Sequence, residues 1–335
     1  MTCPLVSILI PAYNAERTLA ETLRSAVAQT WHRKEILVID DGSTDRTAEI
    51  ARSFASGGVK VISTINRGLS AAVNAAYREC QGDYIQELDA DDLMSPDKIE
   101  LQISTLLRGG DDLMLASSPW AYFYFRPQRA QFAPTALHQD LAPVEWLLRK
   151  LQRGLHMQNA TWLMSRRLAE AAGPWKEDLR YDQDGEYYAR AVAVSNGIRF
   201  VPEGKVFYRT GNRGRLSLLG ASRPKRESLL VSMKLHIGYI RSLEDSPRVR
   251  AACVAYLQLW FENFHADWPD LVTELQALAT ELGGRLEPPA LRRKYRWIQP
   301  VLGHNAATQA QAVLPHLKSS LVQSWDKAMH HLGAR

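Results

Sequence analysis

The chain has 335 residues, 46% apolar and 23% charged, enough for a full hydrophobic core and for one large or two modest domains. Ordinary Gly and Pro counts (20 and 16) and 9% aromatic residues exclude the disordered and collagen-like classes. The formal charge is +5, yet residues 1–218 balance 26 Lys and Arg against 26 Asp and Glu, so the whole excess falls in 219–335. Residues 5–10 (LVSILI), 35–40 (EILVID), 59–62 and 83–88 (DYIQEL) are short, β-branched-rich runs that predict buried parallel strands. Amphipathic segments alternate with them. Leu19, Leu23, Ala26 and Val27 follow Asn14, an expected N-cap. Ala48, Ala51 and Phe54 follow Ser43-Thr44-Asp45, and Ser70 opens an alanine-rich helix. This spacing suits right-handed βαβ crossovers and an open, mostly parallel sheet, in which ligands bind beyond the carboxyl ends of the strands.

Farther along, helices are expected at 96–107, 143–151 and 185–195, with one strand over the apolar run 113–125. From Pro224 onward the pattern is helical, with stripes such as Leu230, Met233, Ile237 and Ile240. Pro288-Pro289 then precedes a basic and aromatic stretch, residues 291–297 (LRRKYRW). That stretch reads either as a solvated helix face or as a peripheral contact with anionic lipid. The small basic excess without a recognition motif argues against nucleic-acid binding. Cys3, Cys80 and Cys253 make no disulfide framework and fit a reducing compartment. No apolar run approaches the roughly 18 residues of a membrane span, and no signal-peptide pattern precedes residue 5. A cytoplasmic protein is expected, with peripheral contact at the inner membrane face the variant reading.

Three acidic clusters carry the candidate chemistry. Asp40-Asp41-Gly42-Ser43-Thr44-Asp45 follows the second strand, where it serves either as a capped turn or as a ligand site. Asp89-Ala90-Asp91-Asp92 follows the fourth strand and crowds three carboxylates into four residues. A divalent cation relieves such repulsion, and oxygen-only ligands favour Mg²⁺ or Mn²⁺ over zinc. Asp182-Gln183-Asp184-Gly185-Glu186 opens a helix, where Asp184 is either an ordinary cap or a functional carboxylate. No phosphate loop, dinucleotide fingerprint, nucleophile elbow or HExxH helix occurs. His156, His304 and His330-His331 read as surface or structural, and the sequon at Asn159 as accidental.

The order of these elements is similar to that of family 2 glycosyltransferases with the GT-A fold. The matching stretches are Pro11-Ala12-Tyr13-Asn14, Asp40–Asp45, the Asn66-Arg67-Gly68 entry to the third helix, Asp89-Ala90-Asp91-Asp92, Gln183-Asp184 with Arg190, and Tyr208-Arg209 with Ser217. The resemblance covers about residues 4–218. It implies a catalytic domain over 1–218, divided into a nucleotide-sugar half (1–92) and an acceptor and base half (93–218), followed by a helical region over 219–335. It further implies that Asp41 reads the nucleotide base beside Pro11, Tyr13 and Asn14, that Arg67 and Arg209 serve the donor, and that Asp89 binds its ribose. Asp91 would ligate Mn²⁺ or Mg²⁺ and Asp184 would be the general base. The implied reaction is an inverting transfer from a nucleotide-diphosphate sugar, UDP-sugars foremost, to a carbohydrate or lipid-linked acceptor in surface polysaccharide or glycolipid assembly. The competing readings are a sugar-phosphate nucleotidyltransferase and an inactive nucleotide-sugar-binding scaffold.

Overall fold

A computed structural model describes residues 3–210, 219, 222–264, 268–288 and 323–330. Its first half forms as the β-branched runs require. Strands β1 (Val6–Ala12), β2 (Lys34–Asp40), β3 (Val59–Ser63) and β4 (Tyr84–Glu87) pair in parallel in the order β3-β2-β1-β4. Helices α1 (Leu19–Val27), α2 (Thr47–Ser53) and α3 (Leu69–Glu79) make the crossovers. Alternate residues serve opposite faces. Leu9, Leu37 and Ile39 join Ala72, Val73 and Ala76 of α3, whereas Ile8, Ile10, Ile36 and Val38 join Leu19 and Leu23 of α1.

The middle of the chain is mixed. It runs through β5 (Leu93–Met94), α4 (Lys98–Gly109), β6 (Met114–Ser117), β7 (Trp120–Phe123), α5 (Pro143–Arg153), β8 (Met164–Ser165), α6 (Arg166–Ala172), α7 (Gln183–Val194), β9 (Gly197–Phe200) and β10 (Val206–Arg209). β8 adds an antiparallel edge beside β4, while β5-β10-β7 and β6-β9 form two small sheets. The single strand expected over 113–125 is therefore two. Ser118-Pro119 breaks the run, and proline cannot donate to a ladder, so β6 and β7 join different sheets.

Two capping expectations also change. Asn14 does not cap α1. The residue before that helix is Thr18, whereas Asn14 adopts a left-handed backbone (φ 48°) and its Oδ1 accepts from the Thr44 amide at 2.8 Å. Ser70 lies inside the first turn of α3, and Gly68 precedes the helix.

The remaining helices, α8 (Arg223–Leu243), α9 (Pro247–Phe261) and α10 (Pro269–Glu281), pack onto this body instead of building a core of their own. Leu229, Leu230, Met233, Ile237 and Ile240 of α8 share one buried cluster with Leu147 of α5, Tyr187 and Tyr188 of α7 and Leu9 of β1. Residues 323–330 are helical, and Asp326 pairs with the buried Arg126 at 2.7 Å. The stretch 291–297, His304, His331 and Ser217 lie outside the described residues. No helix among the described residues is long and apolar enough to cross a membrane.

Candidate active site

Parallel register sets the site. Ala12 lies opposite Asp40 and Asp40 opposite Ser63, so β1, β2 and β3 end level and their loops share one rim. The loops are stitched together. The Asn14 amide donates to Ser43 Oγ at 3.0 Å, and the Asp40 carboxylate accepts from the Ser43 amide at 3.2 Å. The buried Asp41 accepts the Arg67 and Gly68 amides, at 2.9 and 2.8 Å, through its two oxygens, which fixes the entry to α3. A carboxylate has about four acceptor positions, so this leaves capacity for a further donor.

The Asp89–Asp92 turn follows β4 at the same rim. Among the described residues, Asp89, Asp91 and Asp92 form the group able to hold a metal ion, their nearest oxygens lying within 4.8 Å of one another. Two residues that sequence reasoning missed hold this turn. Asn159 Nδ2 donates to Asp89 Oδ1 at 2.8 Å, and Gln158 Nε2 donates to Asp92 Oδ2 at 2.6 Å. Asn159 is thus a buried partner of the acidic turn. The available signal is the adjacent polar pair Gln158-Asn159 between Met157 and Ala160.

Arg209 is not among the residues that line the cleft. Its amide donates to Asp92 Oδ1 at 2.7 Å, its Nε to the Asp91 carbonyl at 2.8 Å, and its terminal nitrogen to Glu21 at 2.6 Å. The guanidinium, packed 4.5 Å over the Phe123 ring, braces the acidic turn from behind. Arg67 lines the cleft but pairs with Glu177 at 2.9 Å.

A cleft of about 1620 Å³ joins these loops to the first turn of α7. Pro11, Tyr13, Asn14, Asp41, Arg67, Asp89, Asp91 and Asp184 all line it. Its volume exceeds the roughly 300–1,000 Å³ usual for one small-molecule ligand, which leaves room for two substrates. Asp184 sits in the first turn of α7. Burial pushes its carboxyl pKa up, and the neighbouring Asp182 charge adds to the rise. His156 also lines the cleft, its ring 4.8 Å from that of Trp120. Lys150 of α5 brings a cationic side chain to the same wall, with only 8% of the residue exposed. Beneath the turn lies Glu87, which accepts from Trp175 Nε1 at 3.1 Å and from the Tyr188 hydroxyl at 3.0 Å. Burial pushes its pKa up to about 8.

Residues 7–159 match the family described as Glycosyl transferase family 2. Residues 7–159 thus carry a glycosyltransferase family 2 domain. An uncharacterised glycosyltransferase of Rickettsia typhi is 33% identical over 202 residues, which cover 58% of this chain and 60% of that protein. The chondroitin synthase of Escherichia coli is 42% identical over 115 residues, 34% of this chain but 16% of the synthase. The chain thus spans about three fifths of the length of the Rickettsia relative and far less of the synthase. Residues 1–349 of S. aureus TarS superpose with a TM-score of 0.63 at 16% identity, over 83% of this chain and 79% of that one. A mannosyltransferase of Pyrobaculum calidifontis gives 0.53 at 17% identity over 98% and 84%. These likenesses establish the GT-A fold of the family 2 enzymes, with its parallel-rich sheet between helices.

Proposed function

We propose that the protein transfers a sugar from a nucleotide-diphosphate sugar to an acceptor hydroxyl, with inversion at the anomeric carbon and dependence on Mn²⁺ or Mg²⁺. One observation carries the reading: a single cleft gathers the Asp41 turn, the Asp89 and Asp91 turn and Asp184, which are far apart in sequence. Relatives of the same fold support the donor class, since TarS has been solved with UDP and with UDP-GlcNAc and the mannosyltransferase with GDP-Man and Mn²⁺. A UDP-sugar is the donor proposed, and a carbohydrate or lipid-linked hydroxyl the acceptor, as in surface polysaccharide or glycolipid assembly.

In this reading Pro11, Tyr13 and Asn14 flank the base and Asp41 accepts from its imino group. Arg67 lies on the donor side, and Asp89 binds the ribose. The all-oxygen donor set of the acidic turn fits a hard divalent cation, with Asp91 as the principal ligand. When bound, such a cation supplies Lewis-acid stabilisation of the diphosphate leaving group. Asp184 accepts the proton of the attacking hydroxyl. Its raised pKa makes it a stronger base than a free carboxylate. One base without a covalent nucleophile gives inversion.

Kinetics and calorimetry on two variants test the proposal. Asp184→Asn is expected to cut transfer by about 10²-fold or more with donor affinity unchanged. Substantial residual turnover would move the base elsewhere. Asp91→Ala is expected to lose the Mn²⁺-dependent part of nucleotide-diphosphate binding. Equal affinity with and without Mn²⁺ in the unmodified protein would overturn the metal assignment.

A further inference from the structure

One face of α8 touches the segment that carries Asp184 at four successive turns. Ser228 Oγ accepts the Arg180 and Tyr181 amides at 2.8 and 3.0 Å and donates to the Tyr181 carbonyl at 3.0 Å. Ser232 Oγ donates to Asp182 Oδ2 at 2.5 Å. His236 Nε2 contacts the Gly185 carbonyl at 2.8 Å, and its Nδ1 meets the Tyr256 hydroxyl of α9 at 2.9 Å. The Tyr239 hydroxyl donates to Glu186, which Arg190 also holds at 2.8 Å. The spacing of four, four and three residues is the helical repeat, so a single stripe makes every contact.

The held segment has an uncommon backbone. Asp182 adopts a left-handed backbone (φ 61°, ψ 31°), which costs a non-glycine residue about 1–2 kcal/mol. Its carboxylate folds over Gly185 so closely that a Cβ there would lie 1.9 Å from Asp182 Oδ1. A carbonyl can only accept, so the His236 contact requires Nε2–H to donate and leaves Nδ1 to accept from Tyr256. Burial keeps this ring neutral, its pKa pushed down to about 3. Ser228, Ser232, His236 and Tyr239 all lie beyond the residues that match the family profile.

We propose that Ser228, Ser232, His236 and Tyr239 of α8 are positioning residues that hold the Asp182–Glu186 turn so that Asp184 faces the acceptor hydroxyl. The helical region thereby completes the active site, an inference that rests on Asp184 being the base. The stripe acts on the proton-accepting step and leaves the donor loops, which lie on other elements, untouched.

The test compares Ser232→Ala, His236→Leu and His236→Gln in the full chain, measuring kcat, donor KM, donor Kd by calorimetry and Tm. Ser232→Ala and His236→Leu should each lower kcat by about 10-fold or more with donor Kd within twofold, and His236→Gln, whose amide can still donate, should recover most of the loss. In an Asp184→Asn background Ser232→Ala should cause no further fall in the residual rate. If Asp184→Asn is inactive while Ser232→Ala and His236→Leu keep normal kcat, the positioning role is wrong and the base assignment stands. Full activity in Asp184→Asn would instead remove the base reading itself. A loss of kcat that tracks lowered Tm and weakened donor binding, unrelieved by His236→Gln, would reduce α8 to general structural support and overturn the inference.

Discussion

Glu87 is 3% exposed, with two donors aimed at its carboxyl oxygens. Burial therefore decides its charge, and it holds its proton up to about pH 8, whereas in the unfolded chain it would ionise near 4.5. Between those values the folded state binds a proton that the unfolded chain releases. Stability consequently falls as pH rises, by up to about 1.4 kcal/mol per unit. His236 has the opposite sign at lower pH. Neutral in the fold down to about 3, it gives a stability that is full above 6.5 and is lost as pH falls toward 3. The two oppose one another from about 4.5 to 6.5, and Glu87 acts without that opposition from there to 8. Glu87→Gln should therefore flatten the decline in Tm between pH 6.5 and 8 relative to the unmodified protein. An unchanged slope would mean that Glu87 is already ionised at neutrality.

At the scale of single elements, the turn between β2 and α2 shows how tightly the rim is built. Gly42 has φ +72°, and a Cβ there would lie 2.8 Å from the amide nitrogen of Asn66, just before the two amides that Asp41 accepts. Gly42→Ala should destabilise by at least about 1–2 kcal/mol, seen in denaturant unfolding, and should weaken donor binding by shifting the 66–68 loop. A neutral effect on both would mean that the two loops move independently. This rim is also the part of the site most legible in the sequence. Each β-branched run declares itself locally, and a parallel sheet must bring the ends of such runs to one edge, so Asp41, Asp89 and Asp91 can be grouped without a structure. What the sequence hides is pairing across distance. Asn14 binds Thr44, 30 residues on, instead of capping its own helix, and Asp89 meets Asn159 across 70 residues. Asp182 meets Ser232 across 50. Periodicity identifies which face of a helix is buried but says nothing about what lies opposite. The polar stripe of Ser228, Ser232, His236 and Tyr239 on α8 consequently gives no sign in the sequence of the segment it meets.

For the whole molecule, one buried cluster runs across residue 218, the boundary that the family resemblance implies. Leu229, Leu230, Met233, Ile237 and Ile240 are at most 3% exposed and sit in the same cluster as the strand residues Leu9, Leu37 and Ile39. Burying each such side chain contributes about 1.5–3 kcal/mol, so α8 alone supplies on the order of 10 kcal/mol. Cutting the chain after residue 218 would also leave Asp182 without Ser232 and the Gly185 carbonyl without His236. A fragment of residues 1–218 should therefore fail to show a cooperative thermal transition and should aggregate, even though it holds every residue of the family match. Light scattering and circular dichroism on that fragment decide the matter. A monomeric fragment with a sharp melt would show that the sheet half closes its core unaided, and that the helices were added to a finished domain.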